Sequence, residues 1–175
     1  MTIKPATKYP ASVIFFHTVI GLLMIATLIF GWLLEENPDL EDWHKALGIA
    51  ILFLGVIRML NRLRTKPQIP ASLNAKGTLQ FVAEKTVHGL LYLVMFSTPL
   101  LGWLLVSAQA EPIGFFGLFE VPALMAENDS LTRTLKNLHE LSANVFFGLV
   151  LLHVAGALLH HIKHKGGVFK RIMPF

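Results

Sequence analysis

Cysteine is absent from this chain of 175 residues, which excludes disulfides, thiolate zinc sites, iron–sulfur clusters and thiol catalysis. Charge is scarce as well. Asp, Glu, Lys and Arg make up 15% of the residues, where a soluble domain carries about a quarter. Apolar residues reach 54% and the mean hydropathy is positive. The distribution matters more than the average. Long runs almost free of charge alternate with short runs that hold nearly all of it, the pattern of a polytopic membrane protein.

Four such runs are long enough to span as helices: about 11–34 (ASVIFFHTVIGLLMIATLIFGWLL), 44–63, 81–108 and 135–161. The expected fold is all-α, an integral-membrane four-helix bundle forming one domain over 1–175. Beyond the rough two-hairpin layout no internal repeat or low-complexity linker stands out. Pro99 deletes one backbone hydrogen bond within the third run and should kink it. The first run follows Lys4 and Lys8 like a signal peptide, but it is longer than a typical signal core and has no small-x-small site, so it is expected to be retained.

Acidic residues are missing from one set of loops. Lys4, Lys8, Arg58, Arg62, Arg64, Lys66, Lys76, Lys85, Lys163, Lys165, Lys170 and Arg171 flank the N-terminus, the second connection and the C-terminus, with Glu84 the only carboxylate among them. The other two connections hold ten carboxylates and only Lys45, Arg133 and Lys136. The positive-inside rule then places both termini in the cytoplasm of a bacterial inner membrane. The net charge of +4 reads as a basic collar facing anionic lipid rather than a nucleic-acid surface.

Histidine is what the spans do contain. His139 and His153 lie fourteen residues apart on the fourth run. At about 100° per residue they fall within roughly 40° of one face, separated by a rise of about 21 Å. His44 opens the second run at the level of His139, and His17 lies about two turns into the first, at the level of His153. Histidine within a span is costly, so it usually lines the bundle interior and has a function. Two pairs follow, His44/His139 and His17/His153, each able to hold a low-spin haem between facing helices. Without a C-x-x-C-H motif such haems are b-type and non-covalent. Gly21, Gly48, Gly148 and Gly156 offer room for a porphyrin edge, though glycine also serves plain helix packing.

His88 shares the level of His17 and is the alternative ligand there; otherwise it suits a propionate or a quinone carbonyl. His17 is the favoured ligand. His160, seven residues past His153, suits a propionate contact or a proton donor near quinone. His161 and His164 belong to the run HHIKHK, an interfacial basic cluster more than a metal site. Arg58 is fourteen residues past His44 and would neutralise a propionate bidentately. Arg62, one turn on, fits snorkelling to lipid phosphate. Glu84 suits capping or a salt bridge more than proton supply to quinone.

With Trp43-His44-Lys45, Arg58 in VIRMLNRL, His88-Gly-Leu-Leu-Tyr followed by Thr-Pro-Leu-Leu-Gly-Trp, Leu138-His139-Glu, Asn144, His153, His160-His161 and Arg171-Ile-Met-Pro, the chain resembles the bacterial di-haem cytochrome b561 family. That family belongs to a wider group with the cytochrome b subunits of hydrogenases and formate dehydrogenases. The resemblance covers nearly the whole length and implies four helices and two haem b groups ligated by His17/His153 and His44/His139. It also implies electron exchange between a periplasmic electron donor and ubiquinone or menaquinone. One branch oxidises superoxide at the periplasmic face; here the acidic periplasmic loops would repel that anion unless Lys45, Arg133 or Lys136 offset them. A haem-bearing anchor subunit of a larger dehydrogenase is the alternative, and a haem-free proton-coupled transporter a more distant one. Membrane lipid is a partner in each case, and homo-oligomers are compatible with all of them.

Overall fold

The computed structural model describes residues 8–163 and 169–172. Lys4, His164 and Lys165, singled out above, lie outside them, as do the last two residues of Arg171-Ile-Met-Pro. Four long helices carry the structure: α1 (Ala11–Leu33), α2 (Glu41–Arg64), α3 (Leu79–Ala108) and α4 (Asp129–Lys163). Each is long and apolar enough to cross a membrane. The shortest, with 23 residues, rises about 35 Å against a hydrocarbon core of about 30 Å. A short α5 (Phe169–Ile172) follows.

The helices run past their apolar stretches because polar residues at their ends stabilise the extra turns. Glu41 and Asp42 open α2, and Arg62 and Arg64 close it, each charge set against the helix dipole of opposite sign. Thr78 caps α3 by accepting from the Phe81 N–H at 3.2 Å, satisfying one of the orphan donors of the first turn. Asn128 does the same for α4, accepting from the Leu131 N–H at 3.3 Å. The third helix continues through Pro99 without interruption.

The chain folds as two antiparallel helix pairs, α1 with α2 and α3 with α4, joined along the α2–α3 contact. The interior is thin. Ile20, Ile51 and Met95 form one buried cluster and Val94, Phe146 and Leu149 another, so every helix contributes to the seam. Outward, large apolar side chains such as Leu22, Leu93, Leu152 and Leu159 are more than 60% exposed. In water such a surface would be untenable, and in a bilayer it is the solvated face.

The two ends of the bundle differ. At one, the Tyr9 N–H donates to the Arg171 carbonyl at 3.1 Å, and Arg171 Nη1 donates to the Ala71 carbonyl at 2.8 Å. The start of α1, the α2–α3 connection and the C-terminal segment therefore meet. In that connection Ser72 and Asn74 both donate to Glu84 Oε2, and Lys85 donates to Oε1 at 3.0 Å. Glu84 thus ties the connection to α3. At the other end lies a two-stranded antiparallel ribbon, β1 (Ile113–Phe115) with β2 (Phe119–Val121), pairing Ile113 with Val121. Phe116 and Gly117, both at positive φ, make its turn. Ile113 and Val121 pack on Ile49 and Val106, and Trp103 Nε1 donates to the Pro122 carbonyl at 3.0 Å. The ribbon, a small addition to the all-α bundle, caps this end.

Candidate functional site

Beneath the ribbon, α2 and α4 bring His44 and His139 opposite one another, with ring centroids 6.0 Å apart and planes at 87°. Each ring is held from behind by the other helix of its own pair. His44 Nδ1 donates to the Thr27 carbonyl on α1 at 2.9 Å, and His139 Nδ1 donates to the Thr98 carbonyl on α3 at 3.0 Å. A carbonyl can only accept, so both imidazoles carry their proton on Nδ1 and keep a lone pair on Nε2. Met24, Gly48, Ile51, Met95, Pro99 and Phe146 line the apolar cleft they share.

One membrane depth away, His17 on α1 and His153 on α4 face each other with centroids also 6.0 Å apart and planes at 76°. His88 on α3 comes closer to His153, at 5.0 Å and 89°. Its Nδ1 donates to the Glu84 carbonyl, one turn back on its own helix, at 2.6 Å. Arg58 on α2 points Nη2 at His17 Nδ1, 3.2 Å away, and its guanidinium lies 5.3 Å from the centre of the Tyr92 ring. Guanidinium only donates, so the His17 nitrogen facing it accepts. The structure thus gathers His17, Arg58, His88 and His153 at one level and His44 with His139 at the other. His160 lies two turns beyond His153 on α4 and is partly buried. Arg62 lies with Lys66, Tyr92 and Phe96 along a cleft between α2 and α3.

Two other glycines sit against the imidazoles: Gly31, and Gly102 within the Thr-Pro-Leu-Leu-Gly-Trp stretch. A Cβ added at Gly31 would lie 2.9 Å from His44 Cε1, and one at Gly102 would lie 3.0 Å from His139 Cε1. The glycines picked out from the sequence behave otherwise: a Cβ at Gly48 would come no nearer than 4.0 Å to Pro99, and at Gly21, Gly148 and Gly156 it would meet nothing within 4 Å. The signal for this pair is in the sequence. Thr27-Leu-Ile-Phe-Gly-Trp-Leu-Leu on α1 and Thr98-Pro-Leu-Leu-Gly-Trp-Leu-Leu on α3 share Thr, Gly, Trp and both closing Leu in one register. His17 and His88 each stand ten residues before their Thr, while Arg58 and His153 each stand fourteen after His44 and His139. The expectation of no internal repeat is therefore corrected. The repeat hides because interchangeable apolar residues dilute it and because the α3–α4 connection is much longer than the α1–α2 one.

On the ribbon side Lys45 Nζ lies 2.7 Å from both Glu41 Oε1 and Glu111 Oε2. Lys136 is 3.9 Å from Glu140. Two of the three cations on this face are thus already paired with carboxylates.

Comparison with known proteins agrees with this architecture. The family profile described as prokaryotic cytochrome b561 matches residues 8–175. The chain is 29% identical over 163 residues to cytochrome b561 homolog 2 of Escherichia coli (strain K12), covering 93% of this chain and 84% of that protein. To cytochrome b561 homolog 1 of the same organism it is 25% identical over 174 residues, 95% and 97% of the two chains. A protein of Yersinia pestis named probable superoxide oxidase CybB is 33% identical over 141 residues, 79% of this chain and 77% of that one. Four apolar helices with histidines paired across them, matched along nearly the whole chain, place it plainly: it belongs to the prokaryotic cytochrome b561 family, membrane proteins that transfer electrons on haem b.

Proposed function

We propose that this protein binds two haem b groups, one between His44 and His139 and one between His17 and His153, and carries electrons between a periplasmic donor and the quinone pool. The observation that carries this reading is the equal 6.0 Å separation of the two imidazole pairs. A metal–imidazole bond is about 2.0 Å and a ring centroid lies about 1.1 Å behind its nitrogen. Iron held by both imidazoles of a pair would therefore need their centroids about 6.2 Å apart. His88 and His153, at 5.0 Å, fall short of that span, which supports His17 as the ligand.

At the His44/His139 level the donor set suits the group: both imidazoles keep an Nε2 lone pair in an apolar cleft and are oriented by backbone carbonyls in the manner of outer-shell partners. His17, whose Nδ1 accepts from Arg58, would have to give up that hydrogen bond and carry its proton on Nδ1 to hold iron through Nε2. Bound haem b supplies a one-electron iron couple at each level. The chain's own contribution is to fix the two levels about 21 Å apart along α4, exclude water between them and set the charge around each. Arg58 brings a permanent positive charge to the His17/His153 level. Ubiquinone or menaquinone would exchange electrons at that level, with His88 and His160 as candidate contacts to its carbonyls or to propionates.

Orientation follows from the loop charges: the end where Tyr9, Ala71 and Arg171 meet carries the basic collar and faces the cytoplasm. The ribbon end with His44 and His139 faces the donor. Superoxide is a specific candidate donor because one relative is named a probable superoxide oxidase. Against it stands the pairing of Lys45 with Glu41 and Glu111, which cancels the charge that would attract an anion.

A reduced-minus-oxidised spectrum with haem quantitation tests the proposal. Two b haems per chain are expected; one would overturn the two-pair arrangement and none the whole reading.

A further inference from the structure

The geometry assigns Gly31 and Gly102, together with the carbonyls of Thr27 and Thr98, to two copies of one imidazole clamp that positions His44 and His139. In each copy the carbonyl fixes the Nδ1 proton and thereby the tautomer. The glycine four residues later lets the Nδ1–Cε1 edge of the ring come up against the helix backbone. The hydrogen bonds measure 2.9 and 3.0 Å, and the clearances to a hypothetical Cβ are 2.9 and 3.0 Å. Such agreement in two stretches far apart in the chain has a common cause, the shared string T-x-x-x-G-W-L-L.

Glycine is a poor choice inside a helix, where alanine is the better helix former. At Gly31 and Gly102 the reason is close approach. Any side chain would drive into the Nδ1–Cε1 edge of the imidazole, beside Nε2, so the ring would swing and turn the Nε2 lone pair away from the facing histidine. Both glycines are therefore positioning residues, acting through the histidines they support. The clamp is built within each helix pair, while the two histidines meet across the pairs. The ligand pair is thus fixed from two sides independently.

This inference rests on ligation by His44 and His139 as proposed above. The test is ferric electron paramagnetic resonance and haem content of the purified holoprotein carrying Gly31→Ala or Gly102→Ala, with Gly89→Ala as control. A Cβ at Gly89 meets nothing within 4 Å. His44→Ala identifies which signal belongs to that level. Expected for either clamp variant is a shifted or lost signal at that level, with haem content falling from two toward one per chain. The other haem's signal stays in place, and the Gly89→Ala spectrum matches the parent. Unchanged signals in both clamp variants, or equal changes at both levels, overturn the clamp. Retention of both haems in His44→Ala would instead overturn the ligation beneath it. Should the clamp variants fail to accumulate, electron–nuclear double resonance on the unsubstituted protein decides. Strongly hydrogen-bonded exchangeable Nδ1 protons on both ligands of the His44/His139 haem are expected, and weakly bonded ones overturn the proposal.

Discussion

His17 and His153 face each other across 6.0 Å, while His88, at the equivalent register of the other helix pair, stands 5.0 Å from the same His153 ring. The two candidates for one ligand position are thus both within reach, and distance separates them. His17→Ala is expected to lose the haem of that level, leaving about one per chain. His88→Ala should keep two. Pyridine haemochrome quantitation of the two purified variants checks this, and a His17→Ala protein that retains both haems would transfer the role to His88.

The near-perpendicular planes, 87° for His44/His139 and 76° for His17/His153, carry a spectroscopic consequence. Bis-imidazole ferric haems with crossed ligand planes give strongly anisotropic low-spin signals, whereas parallel planes give ordinary rhombic ones. Two signals of the anisotropic kind are expected in frozen oxidised protein. A rhombic spectrum would contradict the ring orientations.

Arg58 places a fixed positive charge beside His17, and among the described residues the cation beside His44 is Lys45, which is paired twice. A cation favours the reduced, less positive iron. At an effective dielectric near 20 its removal costs on the order of 1–2 kcal/mol, or about 40–90 mV for one electron. Arg58→Gln should therefore lower the potential of the His17/His153 haem by roughly that amount and leave the other nearly unchanged. Potentiometric titration at the two haem bands reads both.

Glu111 holds Lys45 at 2.7 Å at the ribbon end. If the donor is a small anion such as superoxide, Glu111→Gln should raise its rate of haem reduction several-fold at low ionic strength. The gain should fade in salt, as steering by an exposed charge does. A rate indifferent to both substitution and salt would favour a neutral or macromolecular donor. Stopped-flow reduction over a salt series distinguishes them.

Much of this was legible in the sequence because the bilayer demands it. Charge-poor runs of about 20 residues have to be spanning helices, so the four helices follow from composition. The fourteen-residue spacing of His139 and His153 put both on one face of α4, and the structure brings each to a facing histidine. The connections were harder. The ribbon at Ile113–Val121 is built from three-residue strands whose pairing depends on packing over Ile49 and Val106, a tertiary cause with no local period. The clamps were missed because their hydrogen bonds use backbone carbonyls, which every residue has. Only the register between two distant segments distinguishes Thr27 and Thr98 from their neighbours.

Fourteen residues beyond His44 stands Arg58, and fourteen beyond His139 stands His153. A frame used twice has no inherent up or down. At the ribbon end its two halves present like residues, Thr27, Gly31 and His44 in one and Thr98, Gly102 and His139 in the other. At the opposite end the same step lands on His153 in one half and on the permanent charge of Arg58 in the other. That single inequality turns a symmetric scaffold into a slope, and it lets a bundle built from two similar halves distinguish arrival from departure.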